Sequence, residues 1–156
     1  MTHDHVFLLA GNDRQEPVLE STPAGEERAG EWLLLATPGL VQGCAAGDVV
    51  RVEADGAFTV LHRGGTVSIN VYSDETTDMR RSLTLLTGLI ASLGGAVEAP
   101  DDLRFLVVTC PVSVGFPAIE TTMSRWESTG GGPGWCYGNV YDDNDAPLDW
   151  WINDRT

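Results

Sequence analysis

At Tyr72 the hydrophobic period of this chain changes from two residues to about 3.6, and that change constrains its fold class most. Before it, Val67, Ile69 and Val71 alternate with Ser68, Asn70 and Tyr72, which predicts a strand with one buried and one polar face. After it, Met79, Leu83, Leu86, Ile90 and Leu93 recur at spacings of four, three, four and three, the stripe of an amphipathic helix. Strands lead and helices follow, so the chain reads as α+β.

Upstream of Tyr72 the pattern is β-rich. His5–Ala10 reads as a first strand, Gly11–Glu31 as an exposed polar loop, and Trp32–Ala36 as a strand stopped by Pro38-Gly39. Gly43–Asp48 reads as a loop leading into Val49–Glu53. Asp55-Gly56 separates that run from Ala57–Arg63 and predicts a hairpin with a type I′ turn. With Gly64-Gly65 turning the chain into Thr66–Tyr72, the expectation is a three-stranded antiparallel meander in a small, barrel-like region.

Downstream, Ser73 or Asp74 is placed to cap the first helix, Asp78 lies in its first turn, and Gly94-Gly95 ends it. Leu103–Cys110 is apolar on both faces, as in a central strand covered on each side. Pro117 opens a second helix whose stripe is Phe116, Ile119, Met123 and Trp126, and Trp135–Tyr141 follows as a last strand. This gives a β-α-β-α-β unit with two helices packed on a sheet. Only one strand is evident between the helices, so an α+β sandwich is preferred to a ferredoxin-like sheet. One domain is expected over residues 1–156: a β-rich part at about 5–72, an α/β part at about 66–141, and an acidic aromatic tail at 142–156.

Composition narrows the function. The formal net charge is −14, with nine arginines and no lysine. Nucleic acid and anionic membrane surfaces both require basic residues, so neither is an expected partner. Val, Ile, Leu and Phe make up a quarter of the residues, enough for a real core. The amino terminus lacks the basic and apolar segments of a secretory signal, and no apolar run approaches membrane-span length. The expectation is a cytoplasmic bacterial protein. Its three cysteines, Cys44, Cys110 and Cys136, form no C-x-x-C pair and suggest neither a zinc site nor a disulfide framework.

Catalytic templates match only in part. Pro111–Gly115 resembles a nucleophile elbow around Ser113 but lacks its first glycine, with His62 the available base. Cys44, in a glycine-rich loop that leaves its exposure open, pairs with His62 as the alternative nucleophile, against a default of buried structural cysteine. Cys110 and Cys136, in expected strands, read as small apolar residues. His3-Asp4-His5 lacks further marked metal ligands, and Asp142-Asp143-Asn144-Asp145 fails the EF-hand register. Gly130–Gly134 follows a helix and precedes a strand, the reverse of a phosphate cradle. No metal and no cofactor is expected.

The carboxyl-terminal end stands out. Four of five tryptophans lie beyond residue 125. Trp135, Tyr137, Asn139 and Tyr141 are expected on one strand face, opposite Cys136, Gly138 and Val140, followed by Trp150 and Trp151. Asp142, Asp143, Asp145 and Asp149 lie among these rings. Two readings follow: a tail folded back to cover the sheet, or an aromatic patch rimmed by carboxylates that docks on a basic protein.

The chain also resembles the bacterial family DUF4265. The resemblance is carried in order by Gly47-Asp48-Val49-Val50, the run Gly64–Val71, Val107–Pro111, a helix from near Phe116 and Gly134–Tyr137. It spans roughly Trp32 to Tyr141, and implies a fold without implying an activity. The function expected from the residues is a non-enzymatic binding or inhibitory module, such as an immunity-type protein that neutralises a cationic toxin. The alternative is a ligand-binding domain or enzyme with a cleft site at Cys44/His62 or Ser113.

Overall fold

The β-rich half builds one antiparallel sheet from β1 (His3–Asp13), β2 (Glu16–Arg28), β3 (Glu31–Leu34), β4 (Val49–Val52) and β5 (Phe58–His62), paired in chain order. The computed structural model describes residues 3–74, 76–129 and 133–154, and the side chains of His3, Asn153 and Asp154 are outside that description. The stretch expected to be an exposed loop, Gly11–Glu31, is largely β2, the second arm of a hairpin with β1. Its turn residues Arg14 and Gln15 both have positive φ, 50° and 69°. That is the backbone of a type I′ turn without its usual Asn-Gly, so local composition conceals it. Val6, Leu8 and Ala24 point inward from this hairpin onto Leu34 and Val50. The sheet curls until the β4–β5 turn meets β1, where the Leu9 N–H donates to the Gly56 carbonyl at 2.9 Å. That turn sits where Asp55-Gly56 predicts it, but only Gly56 has positive φ (90°) and its N–H bonds to the Glu53 carbonyl. It is a type I-like turn closed by a glycine bulge rather than type I′.

The second sheet contains β6 (Thr66–Tyr72), β7 (Ala96–Glu98), β8 (Phe105–Pro111) and β9 (Trp135–Tyr137), with α1 (Met79–Ala91) and α2 (Phe116–Ser128) between them. Its order is β7-β8-β6-β9 with every pair antiparallel. This is the β-α-β-β-α-β arrangement of a ferredoxin-like sheet. The missing strand is β7, three residues long, which pairs with β8 through Ala96, Val97 and Glu98. The expected three-stranded meander is therefore corrected. Thr66–Tyr72 does not pair with β5; it leaves the first sheet and becomes a central strand of the second.

Central placement explains why β6 is buried on both faces. Val67, Ile69 and Val71 face the helices with Leu106 and Val108, against Leu86 and Ile90 of α1 and Ile119, Met123 and Trp126 of α2. Each such side chain contributes about 1.5–3 kcal/mol on burial. The Trp126 indole N–H reaches the Ser82 carbonyl at 3.2 Å. Asp78, not Ser73 or Asp74, caps α1, accepting from the N–H groups of Arg80 and Arg81, while Asp74 organises the preceding turn at Thr76 and Thr77. Gly94, at φ 77°, ends α1 as expected.

The opposite face of the second sheet meets the 35–48 connection through polar atoms. Thr109 and Thr37 share a hydroxyl hydrogen bond of 2.6 Å, the Asn70 amide donates to the Gly39 carbonyl, and Thr66 Oγ1 donates to the Ala46 carbonyl. Glu20, reaching from β2, accepts from the backbone of Gly39, Leu40 and Val41. Asp48 is buried and accepts from the N–H groups of Ala45 and Gly64 at 3.0 and 2.8 Å. The two apolar cores are joined by directional bonds, so sequence hydrophobicity alone does not register one against the other.

Candidate functional site

Strand β9 ends at Tyr137, four residues before the expected limit of Tyr141, because Asn139 takes over its pairing. The fully buried Asn139 side chain accepts from the Ser68 N–H at 2.9 Å and donates to the Thr66 carbonyl at 2.8 Å. A side-chain amide thus substitutes for the missing backbone partner of β6. The expected alternation ends there: Val140 joins the core beneath the helices, and Tyr141 is exposed. The chain then reverses through residues 142–146. Asp142 Oδ1 accepts from the N–H groups of Asn144 and Ala146, and Tyr141 bridges to Pro147. Trp150–Asp154 forms a short 3-10 turn against the sheet.

The tail therefore folds back, and its rings form a connected chain. Trp150 meets Trp151 at 5.6 Å, Trp151 meets Phe116 at 5.0 Å, and Phe116 meets Tyr137 at 5.7 Å, all edge to face. Tyr137 also touches Trp135 and Tyr141, at 5.2 and 6.2 Å. Edge-to-face pairs contribute about 0.5–1.5 kcal/mol each beyond area burial. Trp150 is anchored twice, by its indole N–H to the Asn139 carbonyl at 2.8 Å and by the Arg63 guanidinium 5.5 Å from its ring. Arg63 also donates to the Gly43 carbonyl and lies 3.5 Å from buried Asp48.

The folded-back tail leaves this end partly buried and partly exposed. Trp135, Tyr137, Trp150 and Trp151 are half-buried against the core, whereas Tyr141, Asp142, Asp143, Asp145 and Asp149 are exposed. A cleft of about 280 Å³ opens between Phe116, Tyr137, Tyr141 and Trp151, with Glu120 and Asp149 on its lining. The Tyr137 hydroxyl donates to Glu120 Oε1 at 3.0 Å. Burial, then that carboxylate, pushes the phenol up from its ordinary range, so it remains a neutral donor. Phe116 and Glu120 were not among the sequence candidates. Their i, i+4 spacing on α2 puts them on one face, but Phe116 reads as core until the tail is placed beside it.

The catalytic candidates lie elsewhere. Cys44 is 1% exposed, the buried structural position rather than the exposed one a nucleophile requires, and burial pushes its thiol up to about 12. At neutral pH it is a thiol, not the nucleophilic thiolate. His62 is exposed at the end of β5, and Ser113 is exposed in the 3-10 turn Val112–Val114. No hydrogen bond joins Cys44, His62 and Ser113 among the described residues. Cys136, expected to be a buried strand cysteine, is exposed on β9. Residues Gly130–Gly132 of the glycine cluster lie outside the described residues. No group of three or more His, Cys, Asp or Glu side chains is placed to hold a metal among the described residues. No helix there is long and apolar enough to cross a membrane.

The family model described as a domain of unknown function, DUF4265, matches residues 20–132, more than half of the chain. The chain belongs to the DUF4265 family. The match starts earlier and stops earlier than the Trp32–Tyr141 span expected from motifs, so Gly134–Tyr137 lies beyond it. A solved structure described as a novel crystal structure of a hypothetical protein from Neisseria gonorrhoeae is also similar. It has a TM-score of 0.62 and 17% identity, over 88% of this chain and 93% of that one. At that identity the likeness is one of fold. No curated protein matches the chain. In this chain Gly47-Asp48 has a structural role: Gly47 packs against Gly64, and Asp48 accepts from the Gly64 N–H and lies 3.5 Å from Arg63. The aromatic–acidic cleft combines Phe116 and Glu120 from the matched region with a carboxyl-terminal segment beyond it.

Proposed function

We propose that this DUF4265 chain is a non-enzymatic binding or inhibitory module whose aromatic–acidic end docks on the basic surface of a partner protein. The observation that carries this reading is the cleft itself. Rings are held in fixed positions by edge-to-face contacts, with exposed Tyr141 and Ile152 beside them and carboxylates around them. Preorganised aromatic anchors lower the ordering cost of association, and acidic fields accelerate encounter with basic surfaces. An immunity-type inhibitor of a cationic toxin is the concrete form of such a module. The test is affinity capture from native lysate at low and high salt, with wild type beside Tyr141→Ser/Asp143→Asn/Asp145→Asn, whose sites are exposed. A partner retained at low salt, released at high salt and lost by the triple variant is expected. Absence of any salt-sensitive partner, or one indifferent to the variant, defeats the reading.

A further inference from the structure

We propose that the cleft between Phe116, Tyr137, Tyr141 and Trp151 seats one arginine side chain of the partner. The inference rests on the docking reading above and specifies its central contact. Aromatic rings attract cations through their quadrupoles, and arginine also stacks its planar guanidinium on them. Glu120 and Asp149, both exposed, supply the carboxylates that such a group pairs with. Tyr137 engages one Glu120 oxygen and leaves the other to accept from the incoming cation. None of the cleft's lining residues is basic, so the acids there meet no competing guanidinium within it. At about 280 Å³ the cleft has room for one extended side chain. The adjacent ring already shows the mode, since Arg63 lies over Trp150 at 5.5 Å.

The experiment titrates the full chain with a capped Gly-Arg-Gly peptide, its citrulline and lysine counterparts, and tetramethylammonium. The readout is the Trp151 indole N–H and the Tyr137 and Tyr141 ring signals in NMR spectra. Citrulline keeps the shape of arginine and removes its charge. The arginine peptide is expected to shift these signals saturably, and citrulline to bind at least about fivefold more weakly. Glu120→Gln/Asp149→Asn should cause a similar loss with the melting temperature unchanged, because glutamine can still accept from the Tyr137 hydroxyl. Should the double variant unfold, the citrulline comparison on wild type decides alone. Unmoved cleft signals, equal binding of citrulline, or tighter binding of lysine or tetramethylammonium would overturn the assignment. A salt-sensitive partner unaffected by Glu120→Gln/Asp149→Asn refutes the arginine seat while sparing the docking reading. Specific arginine binding with no salt-sensitive partner does the reverse.

Discussion

Substituting Gly64 by alanine tests how the first sheet hands the chain to the second. A Cβ at Gly64 would lie 2.6 Å from both the Cα and the carbonyl oxygen of Gly47. The obstructing atoms are backbone and are tied in place. Gly47 N–H bonds to the Leu34 carbonyl at 2.8 Å, and Gly64 N–H bonds to Asp48 at 2.8 Å. Relief requires moving one connection off the other. Overpacking costs about 1–3 kcal/mol, and each hydrogen bond lost adds about 1 kcal/mol. About 3 kcal/mol or more is therefore expected for Gly64→Ala, a fall of roughly 6–12 °C in melting temperature for a domain of this size. Gly64 is not at positive φ, so the cost is steric rather than conformational. Gly88, inside α1 with nothing within 4 Å of its notional Cβ, provides the opposite sign. Gly88→Ala should stabilise by about 0.5–1 kcal/mol through helix propensity and unfolded-state entropy. Urea and thermal unfolding of the two variants, read by tryptophan fluorescence, are the assay. Gly64→Ala within about 0.5 kcal/mol of wild type, or a loss in Gly88→Ala, would refute the reasoning. Because Arg63 precedes Gly64 and holds Trp150, Gly64→Ala should also loosen the tail first.

Other perturbations probe the same network. Burial raises the Asp48 carboxyl above its ordinary 3.8, outweighing the N–H bonds from Gly64 and Ala45 and the charge of Arg63. The folded state then holds this proton more tightly than the unfolded chain, so the contribution is complete below the unfolded value and lost as pH rises through the folded one. The stability of wild type relative to Asp48→Asn should fall over that interval in pH-dependent urea melts; a flat or rising difference contradicts the account. Asn139→Ala leaves the Ser68 N–H and the Thr66 carbonyl without partners, with a loss of about 2–4 kcal/mol expected and checked by the urea midpoint. Trp150→Phe removes the bond to the Asn139 carbonyl and weakens the Arg63 contact; about 1–2 kcal/mol is expected by thermal melting, with faster hydrogen exchange at residues 148–152. In native protein a thiol reagent should label exposed Cys136 before Cys44, and equal rates would contradict the burial described.

What the residues alone made legible follows from local periodicity. The helices α1 and α2 were visible because their apolar residues repeat every three or four positions, and β8 because its apolar run needs cover on both faces. The aromatic and acidic residues of the cleft were likewise present in the sequence as candidates, Phe116 and Glu120 excepted. Long-range pairing was not legible. Strand β2 carries many polar residues and turns on Arg14-Gln15, so its backbone partner in β1 does what its composition does not announce. Strand β7 is too short for a periodic signal and is defined by β8 alone. Strand β6 has the pattern of a half-exposed strand, yet Ser68 and Asn70 are buried because that face is covered, with Gly39 of the 35–48 connection accepting from the Asn70 amide. The cleft arises for the same reason: Asn139 ends β9, Arg63 and the Asn139 carbonyl hold Trp150, and the tail returns to lay Trp151 on Phe116. Periodicity records which residues avoid water along one element. Only the tertiary structure decides which polar atoms meet across the chain, and here those meetings set both the junction of the sheets and the shape of the acidic aromatic end.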